Sequence, residues 1–209
     1  MTMSIFAQAP PNANDILASV RAQQARQQIE VAGQLRQNDV VIPFRLIENG
    51  PSVRYTFSNP DESLQLQLGE EDSTLERVTA GGSKKIAQLN EKVRGTDITY
   101  EDLALKFIYW SRAEVLGAEN VKTRDCWKLR LRAPSKKSQY SNVLLWIDKN
   151  SGALMRMEGY DWDGKIAKKF EVISAQKIDN RWFLKQMRVE ELQPGADRVL
   201  SRTYLEIKK

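Results

Sequence analysis

The stretch Val53-Arg54-Tyr55-Thr56-Phe57-Ser58-Asn59-Pro60-Asp61-Glu62-Ser63-Leu64-Gln65-Leu66-Gln67-Leu68 decides how this chain is read. Val53, Tyr55 and Phe57 alternate with polar residues; Leu64, Leu66 and Leu68 alternate with glutamines. A period of two sends one set of side chains to one face of a strand and the other set to the opposite face. Asn59-Pro60-Asp61 between the two runs is turn chemistry. The stretch therefore reads as two antiparallel strands with one apolar face.

The same pattern continues in both directions. Asn49-Gly50 is a strong hairpin signal, and before it Val40, Ile42, Phe44 and Leu46 share a face, with Pro43 marking an edge or bulge. Ile29, Val31, Gly33 and Leu35 alternate earlier still. On the other side Gly69-Glu70-Glu71-Asp72 turns the chain, residues 74–79 form a fifth strand, and Ala80-Gly81-Gly82-Ser83 ends the meander. Residues 13–27 have helical spacing, with Ile16, Leu17 and Val20 on one side and Asn14 or Asp15 as the cap. In the middle, Gly95-Thr96-Asp97-Ile98-Thr99-Tyr100-Glu101-Asp102-Leu103 reads as a loop entering a short helix. Thr99 is its N-cap, Asp102 favours the positive end of its dipole, and it runs to Phe107 or Tyr109. Strands then resume at 112–121, 125–132, 140–148, 153–160, 166–178, 182–191 and 198–207.

About eleven or twelve sequential strands with two helical segments must curl, because long twisted sheets rarely stay open and flat. The expected class is mainly β (α+β): an incomplete antiparallel β-barrel whose concave apolar face is covered by an N-terminal helix and a short central helix. Residues 1–12 read as a leader and 13–209 as one domain. Ile5-Phe6-Ala7-Gln8-Ala9 has the pattern of the end of a secretory signal with an Ala7-x-Ala9 cleavage site, so export is expected. No apolar run approaches the roughly 20 residues of a membrane-spanning helix.

Composition narrows the chemistry. The 209 residues contain no histidine, which removes the commonest general base, the Ser-His and Cys-His pairs and imidazole metal ligation. The one cysteine, Cys126, allows no internal disulfide and no cysteine-rich metal site. No enzyme, cofactor or metal is expected. The net charge of +5 permits contact with an anionic membrane surface without requiring it. The densest basic stretch, Lys128, Arg130 and Arg132, alternates with Trp127, Leu129 and Leu131 and reads as a solvated strand face, with Cys126 on that basic side. The aromatic residues here sit on the apolar face of the strand and not beside those cations, so nucleic acid is not expected as a partner. Gly81-Gly82-Ser83-Lys84-Lys85 lacks the spacing of a phosphate loop, and Asp161-x-Asp163-Gly164 lacks the later ligands of a calcium loop; both read as hairpin turns.

The apolar faces carry the functional reading. Ile42, Phe44, Leu46, Tyr55, Phe57, Leu64, Leu66, Leu68, Trp127, Leu129, Leu131, Met155 and Met157 are the candidate cavity wall. Methionine and aromatic side chains can repack around a flexible apolar ligand.

The order of these pieces resembles the bacterial outer-membrane lipoprotein-sorting carriers, the LolA-like family. Pro60-Asp61-Glu62-Ser63 after Tyr55-Thr56-Phe57 and before residues 64–68 carries part of the resemblance. Gly95-Thr96-Asp97 with Tyr100-Glu101-Asp102-Leu103, Trp146-Ile147-Asp148, Met155-Arg156-Met157-Glu158, Tyr160-Asp161 and Gly164-Lys165 resemble a divergent branch. The resemblance spans residues 14–207. It implies a half-barrel that holds acyl chains of lipoproteins or other lipids while crossing the periplasm, with Ile16, Leu17, Val20, Ile98, Leu103 and Phe107 as the inner surface of a lid. It also implies a monomer that receives cargo from an inner-membrane transporter and delivers it to an outer-membrane acceptor. The alternative use of the fold is an accessory or sensor domain that binds an envelope protein or exporter. One departure stands out: other carriers place a lid-latching arginine before the proline that opens the aromatic strand, where this chain has Gly50 before Pro51. Arg45 and Arg54 are the candidate substitutes.

Overall fold

The computed structural model of the chain describes residues 11–25, 28–58, 61–67, 73–85, 89–178 and 181–208. The expected signal remnant, the 69–72 turn and Leu68 lie outside them. The helix α1 (Ala13–Ala25) is followed by β1 (Gln28–Gln37), β2 (Val40–Asn49), β3 (Ser52–Phe57), β4 (Glu62–Gln67), β5 (Thr74–Thr79) and β6 (Gly82–Lys85). Next come α2 (Tyr100–Leu103) and a 3-10 helix (Lys106–Tyr109). The second meander is β7 (Arg112–Val121), β8 (Arg124–Arg132), β9 (Asn142–Asp148), β10 (Leu154–Tyr160), β11 (Ile166–Ile178), β12 (Arg181–Leu192) and β13 (Val199–Lys208).

All 13 strands form one open antiparallel sheet in the order β6-β5-β4-β3-β2-β1-β13-β12-β11-β10-β9-β8-β7. Two meanders are thus zipped together by β1 and β13, where Leu35 faces Leu205. The strand missed in the sequence is β6: Gly82, which the reading gave to the end of the meander, opens a short strand paired with β5. Pro43 sits on the part of β2 that lies beyond the β2–β3 ladder, which begins at Phe44 opposite Phe57, so it occupies a local edge.

The alternation in the sequence becomes burial. On β2 Ile42 and Phe44 are buried while Val41, Pro43 and Arg45 are exposed; on β4 Leu64 and Leu66 are buried. Phe44 stands edge-on to Tyr55 at 5.4 Å and to Phe57 at 6.2 Å, ring centre to ring centre. Such pairs contribute about 1 kcal/mol beyond the area they bury. Phe44 also lies over Gly33 of β1, where a Cβ would come within 2.5 Å of its ring. Only glycine leaves room there, so the largest side chain of β2 fills the space that β1 leaves vacant.

β6 and β7 are the two sheet edges, so the connection between them has to cross the concave face. It does so as a plug at one end of the sheet. Residues 89–99 fold back on themselves, with Val93 N–H donating to the Ile98 carbonyl at 2.8 Å and Glu101 N–H to the Leu89 carbonyl at 2.8 Å. Thr99 is the N-cap of α2, as expected, and Asp102 answers it in a reciprocal capping box. The helix does not run on to Phe107. It breaks at Leu105, whose φ of 45° is left-handed, a conformation that costs about 1–2 kcal/mol. Beyond the break Phe107 is wholly buried in the core, while Leu103, Leu105 and Ile108 face the concave space. α1 also departs from expectation at its start: Asn12, not Asn14 or Asp15, is the cap, its Oδ1 accepting from Asn14 N–H at 2.8 Å.

Candidate ligand-binding cavity

The plug is fixed by a buried polar network. Lys168, on the concave side of β11, donates to Asp102 Oδ2 at 2.8 Å and to the Asp97 carbonyl at 2.6 Å. Asp102 Oδ1 accepts from the Tyr140 hydroxyl at 2.7 Å and from Gln139 Nε2 at 3.1 Å. Burial and the Asp102 carboxylate push the Tyr140 phenol far up, so it remains a donor. Asp97 accepts from Gln37 Nε2 at 2.7 Å, from Lys92 Nζ at 2.6 Å and from the Ser201 hydroxyl. Burial pushes the Asp97 carboxyl up, but hydrogen bonds with Glu191, Lys92 and Ser201 outweigh it and hold the group at about 2. Gln37 ends β1, and Ser201 and Lys168 lie near the starts of β13 and β11, so the network ties the plug to the middle of the sheet at one end.

The opposite end of the concave face is not filled. A cavity of about 470 Å³ lies there, within the size range of small-molecule sites. Its walls come from β1 (Ile29, Val31), β2 (Leu46, Glu48), β3 (Tyr55), β10 (Leu154, Met155) and β11–β13, with Phe170, Phe183, Leu184, Met187 and Leu205 among them. The plug supplies its floor through Ile98, Leu103, Leu105 and Ile108, and α1 covers one side with Val20 and Gln23. Gln23, Arg124 and Ser151 line it and are themselves exposed, which marks where it meets solvent. That residues from so many strands surround one space is the measure of how far the sheet is curled.

The residues singled out in the sequence divide into two groups. Leu46, Tyr55 and Met155 line the cavity, as do Val20, Ile98 and Leu103 of the lid set. Ile42, Phe44, Phe57, Leu64, Leu66, Leu129, Leu131 and Met157 are buried in the packed core, together with Leu17 and Phe107, while Ile16 and Trp127 pack half-buried against it. Leu68 lies outside the described residues. Nine of the lining residues come from β11–β13, and of these only Leu184 belongs to an alternation the sequence had marked. A β-bulge between Val172 and Ser174 shifts the register there, so strict alternation loses phase across the strand pair.

Among the described residues, α1 reaches the plug through Arg21. Arg21 Nη1 donates to the Ile108 carbonyl at 2.9 Å, and its guanidinium stands 5.7 Å from the Tyr109 ring centre. At the other side of the mouth Gln23 sits against Gly152 in the β9–β10 turn. The arginine that fastens the helix therefore comes from the helix itself. Neither expected substitute does so: Arg45 pairs with Glu30, and Arg54 donates to Gln65 at 2.7 Å, both on the exposed side of the sheet.

The outer face is also more structured than alternation implied. Cys126 does lie on the side of Lys128, but it is fully buried in a second small core with Val121, Leu144 and Trp146. Burial pushes its thiol up, which disfavours the thiolate. Lys128 pairs with Glu119 at 2.9 Å, and Arg130 and Arg132 stand 3.4 and 3.6 Å from Glu114. The Asp161 turn is closed by its own carboxylate, which accepts from Asp163 and Lys165 N–H groups. Among the described residues no cluster of acidic or cysteine side chains could hold a metal.

Among curated proteins, no sequence matches this chain significantly. Several solved structures share its fold. A DUF1329 family protein from Desulfovibrio piger is 21% identical with a TM-score of 0.74, the match covering 94% of this chain and 90% of that one. An outer membrane lipoprotein-sorting protein domain from Vibrio parahaemolyticus is 16% identical with a TM-score of 0.75, over 94% and 90% of the two chains. A LolA superfamily protein from Nitrosomonas europaea is 15% identical with a TM-score of 0.68, over 96% and 93%. A family model described as "Uncharacterized protein" matches residues 79–209, which include the plug and the whole second meander. The chain thus belongs to that uncharacterized family, and its fold is the LolA-like half-barrel in a divergent form.

Proposed function

We propose that this protein is a non-catalytic periplasmic carrier that binds acyl chains of lipoproteins or other lipids in its cavity on the way to the outer membrane. The observation that carries this reading is the unfilled apolar space of about 470 Å³ beneath α1, at the place where an ordinary core would be packed solid. Transfer of one methylene from water to such a site is worth about 0.8 kcal/mol. A chain with about ten buried methylenes therefore gains roughly 8 kcal/mol before the costs of association are subtracted. The fold relatives named for lipoprotein sorting support the assignment, and so does the position of α1 over the cavity, where its movement would give cargo a way in and out. An inner-membrane transporter would load such a carrier and an outer-membrane acceptor would unload it. The absence of histidine from the chain fits a binding role.

The test is titration of the protein with a neutral fluorescent long-chain probe, with native mass spectrometry of protein purified from a Gram-negative periplasm. Saturable binding at one site and co-purified lipid are the expected results. No saturable binding and no bound lipid would overturn the carrier reading in favour of an accessory domain that binds an envelope protein through its surface.

A further inference from the structure

The concave positions of β2 read Ile42, Phe44, Leu46 and then Glu48. The alternation that sends the first three inward sends the carboxylate inward too, and Glu48 lines the cavity. Its neighbours across the ladders are Ile29 of β1 and Val53 of β3, and Tyr55 lies one step further along β3. The other charged residues of the lining are Asp102, Arg124 and Asp148. Asp102 has Lys168 at 2.8 Å. Arg124 and Asp148 stand 3.9 Å apart, and Asp148 also accepts from Ser151 N–H at 3.3 Å. Among the described residues Glu48 has neither an ion-pair nor a hydrogen-bond partner, and burial alone pushes its carboxyl up to about 7. A half-buried carboxylate facing apolar walls is costly unless a bound group compensates it.

On the carrier reading above, we infer that the cavity selects amphiphiles whose acyl chain is joined to an N–H-donating group, which pairs with the Glu48 carboxylate, and that it rejects anionic amphiphiles such as free fatty acids. An ammonium offers charge-assisted hydrogen bonds; an amide offers a neutral donor. A fatty-acid carboxylate offers neither and meets a like charge. Two sources supply such donors: the amine headgroup of a lipid and the amide that joins an acyl chain to a polypeptide.

The experiment measures binding of monomeric dodecylamine, N-dodecanoylglycinamide, dodecanol and dodecanoate by calorimetry, to the wild-type chain and to Glu48→Gln and Glu48→Leu. In the wild type at pH about 8.5 one or both N–H donors should bind roughly tenfold tighter than dodecanol, and dodecanoate weakest, given the strength of hydrogen bonds to charged groups. Whichever donor binds tighter identifies the source. Glu48→Gln should collapse the ammonium-to-carboxylate ratio, and Glu48→Leu should remove the advantage of the amide over the alcohol. Lowering the pH to about 5.5 protonates Glu48 and should weaken the ammonium preference in the wild type alone. Tyr55, whose phenol burial also pushes up, stays neutral throughout. Equal binding of the four probes, or ratios unchanged in both variants, would overturn the inference while leaving the carrier reading intact. Failure of dodecanol to bind at all would overturn both.

Discussion

Lys168 Nζ stands 2.8 Å from Asp102 Oδ2, and both side chains are almost wholly withdrawn from solvent. This pair joins the second meander to the plug, and it is the point where the curled sheet is closed at one end. Removing one partner of a buried pair leaves an uncompensated charge and typically costs about 3–5 kcal/mol. Lys168→Met should therefore lose about 3 kcal/mol in urea unfolding, because Tyr140, Gln139 and Thr99 still donate to Asp102. The double variant Lys168→Met with Asp102→Asn should recover part of that loss. A single variant within about 0.5 kcal/mol of wild type, the range of ordinary surface substitutions, would show that the pair does not anchor the plug.

The strands were legible in the sequence because alternation is a local property: each residue of β2 or β4 reports its own face. The cavity was less so. Whether Leu66 packs against another side chain or borders a void depends on what lies across the concave face, and that is set by the plug, which comes from elsewhere in the chain. Lys168 shows the same limit. It sits two residues before Phe170 on the inward side of β11, a charge in an apolar phase, and this signals a buried partner without naming it. Asp102 was read only as a helix-end residue, and its second role appears only when the connection from β6 to β7 is laid across the sheet. The contact of α1 with the plug is hidden for a similar reason, since Arg21 acts on the Ile108 carbonyl, and a backbone acceptor has no sequence signature.

Glu48 gives the fold a pH dependence that can be measured without ligand. Below its ordinary value of 4.5 the carboxyl is protonated in both the folded and the unfolded chain. Between that value and about 7 the folded chain keeps a proton the unfolded chain has released, so the folded state loses ground as pH rises and the penalty is complete above about 7. The size is no more than about 3 kcal/mol. Glu48→Gln should be more stable than wild type at pH about 8 and equal to it at pH about 4. A constant difference between the two proteins across this range in urea unfolding would contradict the placement of Glu48 on the inner face.

Arg21 should control the rate of exchange rather than the stability of the sheet. Its hydrogen bond to the Ile108 carbonyl is a charged contact between α1 and the plug, and such bonds contribute about 1.5–3 kcal/mol. Arg21→Ala should release a bound neutral probe roughly tenfold faster in stopped-flow displacement, with an unfolding midpoint close to wild type. Lysine at this position should restore only part of the effect, because it loses the planar contact with Tyr109. Unchanged release rates would mean that cargo leaves by a route that does not lift α1.

Substitutions in the apolar face should separate cavity from core. Leu184 lines the cavity and is half-buried, so a charge there can reach water at the mouth of the empty protein but must be desolvated when an acyl chain enters. Leu184→Glu should reduce probe affinity by tenfold or more, about 1.4 kcal/mol, while leaving the circular dichroism spectrum and the urea midpoint near wild type. Leu66 is 1% exposed within the packed core, and no water can reach it. Leu66→Glu should destabilise the protein by several kcal/mol and lose soluble folded material before any effect on binding can be read. If Leu66→Glu folded normally and lost binding while Leu184→Glu bound as wild type, the ligand would have to sit over β4 in the first meander. The space bounded by Tyr55, Met155, Met187 and Leu205 would then be only a packing void.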